Sequence, residues 1–392
     1  RGCRDRWLEQ ALGNPSFRPN SAALKAVEFL SKCQGLPGIL PASPLVGFLE
    51  RQTHPVPVSA SDYVLDRVSR SLAWLLGTYD QTVAARHMCH GPGAVTSGLT
   101  GFDKWLAPLP PHELSELADP LNRLGRLSYV PQCSVYHEVP KTSWKNRSIC
   151  CEPVQLQILQ QGIGRHIVRQ LRSRGFDISN VWKVNKGHLG KLDWHTIDLS
   201  AASDSMSCEM IRLICARQPT LGPWLGAMES CRSSWVSIPR TASFSGHVEM
   251  YKQGAFASMG NGYCFALLTV ITMSACMAAI QLWDRDLSLR GTANAYRELC
   301  SVFGDDIICH ESIHPYVLFV LSRLGFSVNA EKSSGNGSLR ESCGGWSIGR
   351  HVIERLPRLK HFSPQGFDEW ASVCEHSASA RKLGSLRLRI IS

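Results

Sequence analysis

Two adjacent carboxylates at the tip of a predicted hairpin are the strongest chemical feature of the sequence. Asp305 and Asp306 follow Gly304 between two apolar runs, residues 302–303 and 307–309, a pattern typical of strand, tight turn and strand. Carboxylates held between apolar strands are costly unless a positive charge lies beside them. Hard oxygen ligands favour Mg²⁺ or Mn²⁺. The pattern therefore predicts a metal site, although an isolated Gly-Asp-Asp tripeptide is more often a simple turn.

A third carboxylate, Asp198, lies near the end of another apolar segment, the predicted strand 194–199. If this strand lies beside the hairpin in one sheet, Asp198 and Asp305 meet, with Asp306 nearby. Such a set can hold two cations about 4 Å apart, an arrangement that activates an attacking hydroxyl and stabilises a leaving phosphate. We therefore expect two Mg²⁺ or Mn²⁺ ions, with these three aspartates as their ligands.

The positive charge of the chain is concentrated ahead of Asp198. The 392 residues carry a formal net charge of +10, and residues 139–191 contain ten basic side chains against two acidic ones. Within this segment a helix is expected from Pro153 to Gly175, with Arg165 and Arg169 lying off its apolar stripe. A basic face of this kind is either a solvated surface or the wall of a channel for a polyanion. Nucleic acid is the first candidate partner.

The remaining elements predict an α+β fold. The chain is 44% hydrophobic and 19% charged, which excludes a disordered protein. Its fifteen cysteines show no paired spacing and indicate a reducing compartment. The elements expected after the strand 194–199 are a helix at 204–216, β-segments around Pro239, an apolar helix at 263–280, a helix at 292–300, the hairpin at 302–309, a helix at 313–324, a strand at 326–329 and a hairpin at 339–353. The order β-α-β-β-α-β is ferredoxin-like.

The apolar run 263–280 is long enough to span a membrane. It follows the polar, glycine-containing segment 258–262, is interrupted by hydroxyl side chains, and is followed by the net-acidic residues 284–286. Because basic flanks are typical of membrane spans, we expect a buried core helix and no membrane partner.

Three polar motifs occur in a fixed order around these carboxylates. Residues 198–204 (DLSAASD), 258–262 (SMGNG) and 304–306 (GDD) resemble motifs A, B and C of viral RNA-dependent RNA polymerases. The basic segment from residue 139 resembles motif F, and residues 339–344 (LRESCG) resemble motif E. The sequences of these motifs are most similar to those in the replicase subunit of leviviruses, the Qβ-like single-stranded RNA bacteriophages. The resemblance runs from about Val139 to Trp346.

The resemblance implies a role for each matching residue. The catalytic metal ligands would be Asp198 and Asp305, with Asp306 as a further ligand or close support, and Lys332 would donate a proton to pyrophosphate. The remaining roles fall on eleven residues: Asp204, Ser258 and Asn261 for the ribose, Gly260 for close approach to the base pair, Lys141, Lys145 and Arg147 for the triphosphate, and Arg340, Glu341, Arg165 and Arg169 for RNA.

The resemblance also implies a right-hand polymerase architecture. Residues 1–138 would form the N-terminal region and fingers, 139–193 a basic fingers segment with its helix, 194–346 the ferredoxin-like palm, and 347–392 the start of a truncated thumb. The implied partners are template and product RNA, ribonucleoside triphosphates, and host elongation factors Tu and Ts with a ribosomal protein. The implied location is the cytoplasm of a bacterial host cell.

Two alternatives to the polymerase hypothesis remain open. A truncated or inactive polymerase-like protein would only bind RNA, although intact aspartates in motifs A and C argue against decay. A reverse transcriptase would share the palm and the paired aspartates. The Ser/Asn-containing motif B and the second motif A carboxylate, Asp204, favour ribonucleotides over deoxyribonucleotides.

Overall fold

A computed structural model describes residues 41–99, 103–106, 132–142, 145–330, 333, 339–348 and 350–353. Within these ranges the protein combines helices with three β-sheets, which confirms the predicted α+β class. Lys332 lies outside the described residues.

Eleven strands and twelve helices occur in the described part of the chain. The strands are β1 (Cys133–Thr142), β2 (Lys145–Cys151), β3 (Trp194–Ser200), β4 (Trp235–Ile238), β5 (Glu249–Lys252), β6 (Cys300–Phe303), β7 (Asp306–His310), β8 (Ser327–Val328), β9 (Leu339–Ser342), β10 (Gly345–Ile348) and β11 (His351–Ile353). The helices are α1 (Leu45–Thr53), α2 (Asp62–Leu76), α3 (Gln81–Arg86), α4 (Asp103–Leu106), α5 (Val154–Ser173), α6 (Val181–His188), α7 (Ala202–Ser205), α8 (Cys208–Cys215), α9 (Gly222–Ser230), α10 (Cys264–Trp283), α11 (Leu289–Leu299) and α12 (His314–Leu324).

The central sheet brings the predicted strand 194–199 beside the predicted hairpin. Its strand order is β6-β7-β3-β8, and all neighbouring strands run antiparallel. Helices lie between β3 and β6 and between β7 and β8. The chain order is therefore β-α-β-β-α-β, as the sequence predicts. β3 is nearly fully buried, which explains why it reads as an apolar run.

Helix α10 is the centre of the core. By length and composition it could cross a membrane, the one such helix among the described residues, but 89% of its most apolar stretch is buried inside the protein. Helices α2, α5, α11 and α12 pack against it. This confirms the prediction of a core helix. The hydroxyl groups that interrupt its apolar run donate to carbonyls one turn earlier, as for Ser274 to Val270, so they are buried without leaving unpaired donors.

A second sheet, in the order β2-β1-β4-β5, carries the start of the basic segment. It leads into α5, which is unbroken although Gly162 and Gly164 lie inside it. The two glycines allow close packing instead: a Cβ on Gly162 would lie 2.5 Å from the Ala84 carbonyl oxygen, and one on Gly164 would lie 2.9 Å from the Gly262 carbonyl oxygen. Because α5 needs these close approaches, glycine here serves packing rather than helix termination.

Two elements differ from the sequence prediction. The expected helix 204–216 is divided into α7 and α8, because Ser207 adopts an extended conformation and caps α8, accepting a hydrogen bond from Met210 N at 3.0 Å. The expected hairpin 339–353 is a three-stranded antiparallel sheet, in the order β11-β10-β9. The extra strand arises because the chain reverses direction twice, so that Gly345 pairs with Ser342 and His351 pairs with Ile348.

Buried histidines make the fold sensitive to acid. His166 is fully buried between Tyr79 and Trp224, with ring centroids 5.5 and 4.5 Å away. Burial is the main reason that the pKa of His166 is lowered to about 4; the charges of His87 and Arg169 also lower it, and that of Asp80 opposes the change. Below the ordinary pKa of histidine, the His166 side chain is therefore protonated in the unfolded chain. In the folded protein it stays neutral until about pH 4. We expect the free energy of unfolding to fall, by about 1 kcal/mol per pH unit from this group, as the pH drops from 6.5 towards 4.

Denaturant unfolding of wild type and His166→Phe at pH 7 and pH 5 measures this effect. The Phe ring keeps most of the aromatic packing but cannot be protonated, so the variant should lose less stability on acidification than the wild type. An equal loss in both proteins would contradict the assignment.

Candidate active site

Three aspartates meet at one end of the central sheet. The register of β3 and β7 sets Asp198 directly opposite Asp306, and Asp305 lies in the turn between β6 and β7. Burial, together with the charges of Glu341, Asp305 and Asp198, raises the pKa of the Asp306 carboxyl to about 7. Carboxylates that affect one another in this way lie close together. The structure thus brings the three predicted metal ligands to the same end of one sheet, with Glu341 near Asp306.

The Asp198 carboxylate is held by residues that follow β8. Asn329 donates its side-chain amide to Asp198 Oδ2 at 3.1 Å, and its backbone N–H to the Asp198 carbonyl at 2.8 Å. Ser333 Oγ accepts a hydrogen bond from Asp198 N at 3.0 Å. These contacts fix both the backbone and the side chain of Asp198 at the end of β3.

The 304–306 turn is anchored to the core helix by two threonines. Gly304 N donates to Thr269 Oγ1 at 3.1 Å, and the Thr272 hydroxyl lies 3.1 Å from the Gly304 carbonyl oxygen. Gly304 has φ +65°, and a Cβ there would lie 2.7 Å from the Phe265 ring. The hydroxyl groups that interrupt the apolar run of α10 therefore position the carboxylate-bearing turn.

Replacing Thr269 by valine tests this anchor. The change preserves shape but leaves Gly304 N without its acceptor, which costs about 1–3 kcal/mol for a buried donor. We expect a lower melting temperature together with a clear loss of any activity that depends on Asp305, measured by thermal unfolding and nucleotide incorporation. Ser274→Ala is the matched control, because its hydroxyl donates only to the Val270 carbonyl within the same helix. Equal activity losses in both variants would contradict a specific role for Thr269.

The carboxylate oxygens at this end of the sheet are of the chemical type that binds a hard divalent cation. Carboxylate oxygens are the ligands that Mg²⁺ and Mn²⁺ prefer, and the mutual repulsion that raises the pKa of Asp306 is relieved by a cation. Among the residues that the structure describes, no group of three or more His, Cys, Asp or Glu side chains is close enough to form a complete site. A cation bound here would need further oxygen ligands, which Mg²⁺ usually takes from water and from substrate phosphates.

The 258–262 loop lies against the end of β2. Cys150 N donates to the Met259 carbonyl at 2.7 Å. Gly260 has φ +115°, and a Cβ there would lie 2.1 Å from the Cys150 carbonyl oxygen. Ser258 is 2% exposed, and its hydroxyl has no hydrogen bond of ordinary geometry to any described residue. Only glycine allows the loop to approach the strand this closely.

Asn261 is fixed by Glu152, a buried carboxylate for which the sequence predicted no role of its own. Its side-chain amide donates to Glu152 Oε1 at 3.3 Å, and the Ser233 hydroxyl donates to the other oxygen of Glu152. Burial raises the pKa of the Glu152 carboxyl, while these hydrogen bonds, one from Gln160 and the charge of Arg232 lower it. The loop is thereby tied to the junction of β2 and α5.

Asp204 forms an ion pair that the sequence did not predict. It is 5% exposed, and its Oδ2 accepts a hydrogen bond from Arg51 Nη2 at 3.3 Å. The Cys150 thiol interacts with both Asp204 and Ser258, since the charge of Asp204 raises its pKa and a hydrogen-bonding contact with Ser258 lowers it.

The basic residues of the predicted triphosphate site lie on the β1–β2 hairpin. Arg147 is half-buried, with Nη1 3.6 Å from Met259 Sδ in the 258–262 loop. Lys141 and Lys145 are exposed near the hairpin tip. Arg165 and Arg169 are exposed on α5, opposite its buried stripe. These four cations are therefore accessible to a polyanion.

Arg340 is buried instead of exposed. It is 2% exposed, and its guanidinium donates to the carbonyl oxygens of Lys191 and Trp194. Glu341 Oε1 accepts a hydrogen bond from Gly344 N at 2.8 Å. The Arg340 guanidinium is thus used inside the protein, where it joins β9 to the start of β3.

Sequence reasoning missed three positions around the aspartates and their neighbours. Asn185, fully buried on α6, lies 3.4 Å from the Asp306 carbonyl oxygen and 3.2 Å from the Ser342 hydroxyl. Asn329 holds Asp198, and Arg51 pairs with Asp204. Asn329 carried a signal, since it is a polar residue at the end of a predicted strand. Nothing in the local pattern marks Asn185 or Arg51.

Comparison with known proteins agrees with these observations. The family model for the RNA replicase beta-chain matches residues 122–352. The RNA-directed RNA polymerase beta chain of Enterobacteria phage fr is 35% identical over 212 residues, and the corresponding subunit of Escherichia virus Qbeta is 33% identical over 210 residues. Each match covers 53% of this chain, but only 34% and 32% of the respective relative.

The chain belongs to the RNA replicase beta-chain family. The similarity to the polymerase subunits of RNA bacteriophages, first indicated by the three motifs, is confirmed. The matched stretch spans about a third of the length of these curated relatives.

Proposed function

We propose that this chain carries the catalytic region of an RNA-dependent RNA polymerase, which copies a viral RNA genome from ribonucleoside triphosphates by two-metal nucleotidyl transfer. The observation that carries the proposal is the pairing of Asp198 with Asp306 beside the Asp305 turn, in a chain of the RNA replicase beta-chain family. The names of the phage fr and Qbeta relatives support the same activity.

Asp198 and Asp305 would hold two Mg²⁺ or Mn²⁺ ions, with Asp306 as a further ligand or close support. Bound there, such ions favour ionisation of the terminal 3′-hydroxyl and neutralise charge on the departing pyrophosphate. The protein's own contribution is alignment. Asn329 fixes the carboxylate of Asp198, and Thr269 fixes the turn that carries Asp305.

Ribose recognition would fall to Asp204, Ser258 and Asn261. The 2′-hydroxyl of a ribonucleotide both donates and accepts hydrogen bonds, which a carboxylate, a hydroxyl and an amide can satisfy together. The buried Ser258 hydroxyl, without a hydrogen bond of ordinary geometry to any described residue, is suited to receive such a partner. Gly260 would let the loop backbone approach the template base pair.

The triphosphate would lie along the β1–β2 hairpin. Lys141, Lys145 and Arg147 would neutralise the charge that grows as pyrophosphate leaves, and Lys332 would supply the proton that pyrophosphate takes up. Arg147 is nearest to the ribose site, because it contacts Met259.

RNA would follow the basic segment and the third sheet. Arg165 and Arg169 on α5 would contact template phosphates. Residues 339–344 would support the primer strand, with Glu341 near Asp306 and with Arg340 joining β9 to the start of β3 inside the protein.

The proposed architecture is a right hand. The fingers would include residues 1–193, with the basic segment 139–193 at the nucleotide entry. The ferredoxin-like palm would comprise residues 194–346, and residues 347–392 would form the start of a thumb. Template and product RNA would be the partners, together with elongation factors Tu and Ts and a ribosomal protein of a bacterial host, whose cytoplasm would be the site of action.

Primer extension on an RNA template tests this proposal against its alternatives. With Mg²⁺ or Mn²⁺, purified protein should extend an RNA primer with ribonucleotides and much more slowly with deoxyribonucleotides. Preferred use of deoxyribonucleotides would identify a reverse transcriptase. RNA binding without incorporation of either nucleotide would indicate an RNA-binding protein and contradict the proposal.

A further inference from the structure

We propose that Arg51 is a positioning residue for ribose recognition, which orients the Asp204 carboxylate towards the 2′-hydroxyl of an incoming nucleotide. The inference rests on the proposed function and extends the nucleotide site to helix α1, which lies outside the residues 122–352 matched by the family model. It gives a specific role to a helix from the part of the chain whose sequence carries no polymerase motif.

The geometry of the ion pair leaves one carboxylate oxygen available. Arg51 Nη2 donates to Asp204 Oδ2 at 3.3 Å. No residue in the described part of the chain donates a hydrogen bond to Oδ1, the second oxygen. The Asp204 side chain is 6% exposed, whereas that of Arg51 is 31% exposed. A carboxylate held by one oxygen in a nearly closed position presents the other in a single direction, as recognition of one hydroxyl group requires.

Helix α1 is held in place, so the Arg51 side chain starts from a fixed backbone. Gln52 Oε1 accepts a hydrogen bond from Ala255 N at 3.1 Å. Gly254 approaches the same helix so closely that a Cβ there would lie 2.3 Å from the Gln52 carbonyl oxygen. Helix α1 therefore contacts Asp204 and the segment that leads into the 258–262 loop.

The charge of Arg51 keeps Asp204 a strong acceptor. Burial raises the pKa of the Asp204 carboxyl above its ordinary value, and the charge of Arg51 with its hydrogen bond offsets part of that rise. The two titratable thiols that interact with Asp204, Cys150 and Cys264, have pKa values raised by burial, so they stay protonated and add no negative charge beside the carboxylate. An ionised carboxylate binds a hydroxyl donor more strongly than a neutral acid does.

The test compares sugar discrimination in Arg51 variants of the full chain. For wild type, Arg51→Met and Arg51→Lys, kcat/KM is measured for a ribonucleotide and for the 2′-deoxyribonucleotide with the same base. In Arg51→Met we expect the ratio of the two values to fall about tenfold, mainly through a higher KM for the ribonucleotide. Arg51→Lys, which retains the charge, should recover most of the ratio.

A matched control removes a similar ion pair elsewhere. Arg212 on α8 donates to Glu229 at 2.6 Å on an exposed surface, and Arg212→Met should leave the ratio unchanged. In an Asp204→Asn background, Arg51→Met should lower the ratio no further, because the positioned carboxylate is already absent.

The outcomes separate this inference from the proposed function. An equal loss of kcat/KM for both sugars in Arg51→Met would indicate a merely structural role and overturn the inference, while polymerase activity of the wild type would still support the proposed function. An unchanged ratio in Arg51→Met would overturn it as well. If the wild type incorporates neither nucleotide, the proposed function fails and the inference fails with it.

Discussion

Asp305→Asn should abolish nucleotide incorporation while RNA binding persists. Asparagine keeps the shape of the turn and its anchors to α10, but it removes the charge that would bind a divalent cation. Loss of one such ligand removes several kcal/mol of transition-state stabilisation, and about 4 kcal/mol corresponds to about a thousandfold in rate. The substitution leaves intact the cations that we propose bind RNA, such as Arg165 and Arg169.

Single-turnover incorporation and RNA gel-shift titration measure the two quantities separately. Asp286→Asn is the matched control, because this carboxylate is exposed after α10 and far along the chain from the turn, and it should behave as wild type in both assays. Undiminished nucleotide incorporation by Asp305→Asn would contradict the two-metal mechanism. Loss of RNA binding in parallel with synthesis would point to misfolding of the turn instead.

Gly260→Ala should damage nucleotide binding more than any other small substitution in the loop. A Cβ would lie 2.1 Å from the Cys150 carbonyl oxygen, and φ is +115°, a conformation that L-residues rarely adopt. Backbone strain of this kind alone costs about 1–3 kcal/mol. The loop must therefore move, carrying Ser258 and Asn261 away from the proposed ribose site. A displacement of about 1 Å in a positioning group can cost on the order of a hundredfold in rate.

Steady-state kinetics with ribonucleotides, together with thermal unfolding, measure the effect of Gly260→Ala. Gly246→Ala separates strain from collision, because Gly246 has φ +71° but nothing within 4 Å of its ideal Cβ position. The control should lose some stability and keep its kinetics. Wild-type kinetics in Gly260→Ala would contradict the account of the 258–262 loop.

The sequence predicted the centre of the fold well because its signals there are local. Residues 194–199 and 302–309 are apolar strands interrupted only by polar residues that the site requires, and their β-α-β-β-α-β order is the ferredoxin-like one. That the two strands are direct, antiparallel neighbours is shown by the structure. The core helix was recognised by its polar flank and its internal hydroxyl groups. That Thr269 and Thr272 hold Gly304 was not predictable, since hydroxyl groups in a helix usually bond only to their own backbone.

Contacts between distant segments were beyond sequence reasoning. Arg51 and Asp204 are separated by 153 positions. The residues beside each of them in the sequence give no indication that the two form an ion pair. Arg340 is basic in a motif that suggested RNA contact, yet the fold buries it against the carbonyl of Trp194. The difference arises because a charged side chain carries the same local signal whether it meets RNA or an internal acceptor, and only the packing of β9 decides between them.

The measurement that tests the central claim most directly is template-directed incorporation of single ribonucleotides. Purified protein is given an RNA primer on templates that differ only in the next base, with Mg²⁺ or Mn²⁺ and one labelled ribonucleotide at a time. The account predicts that each template base directs its complementary ribonucleotide and that Asp198→Asn removes the signal on every template. Incorporation that ignores the template base, or no incorporation by protein that binds the primed template, would contradict it.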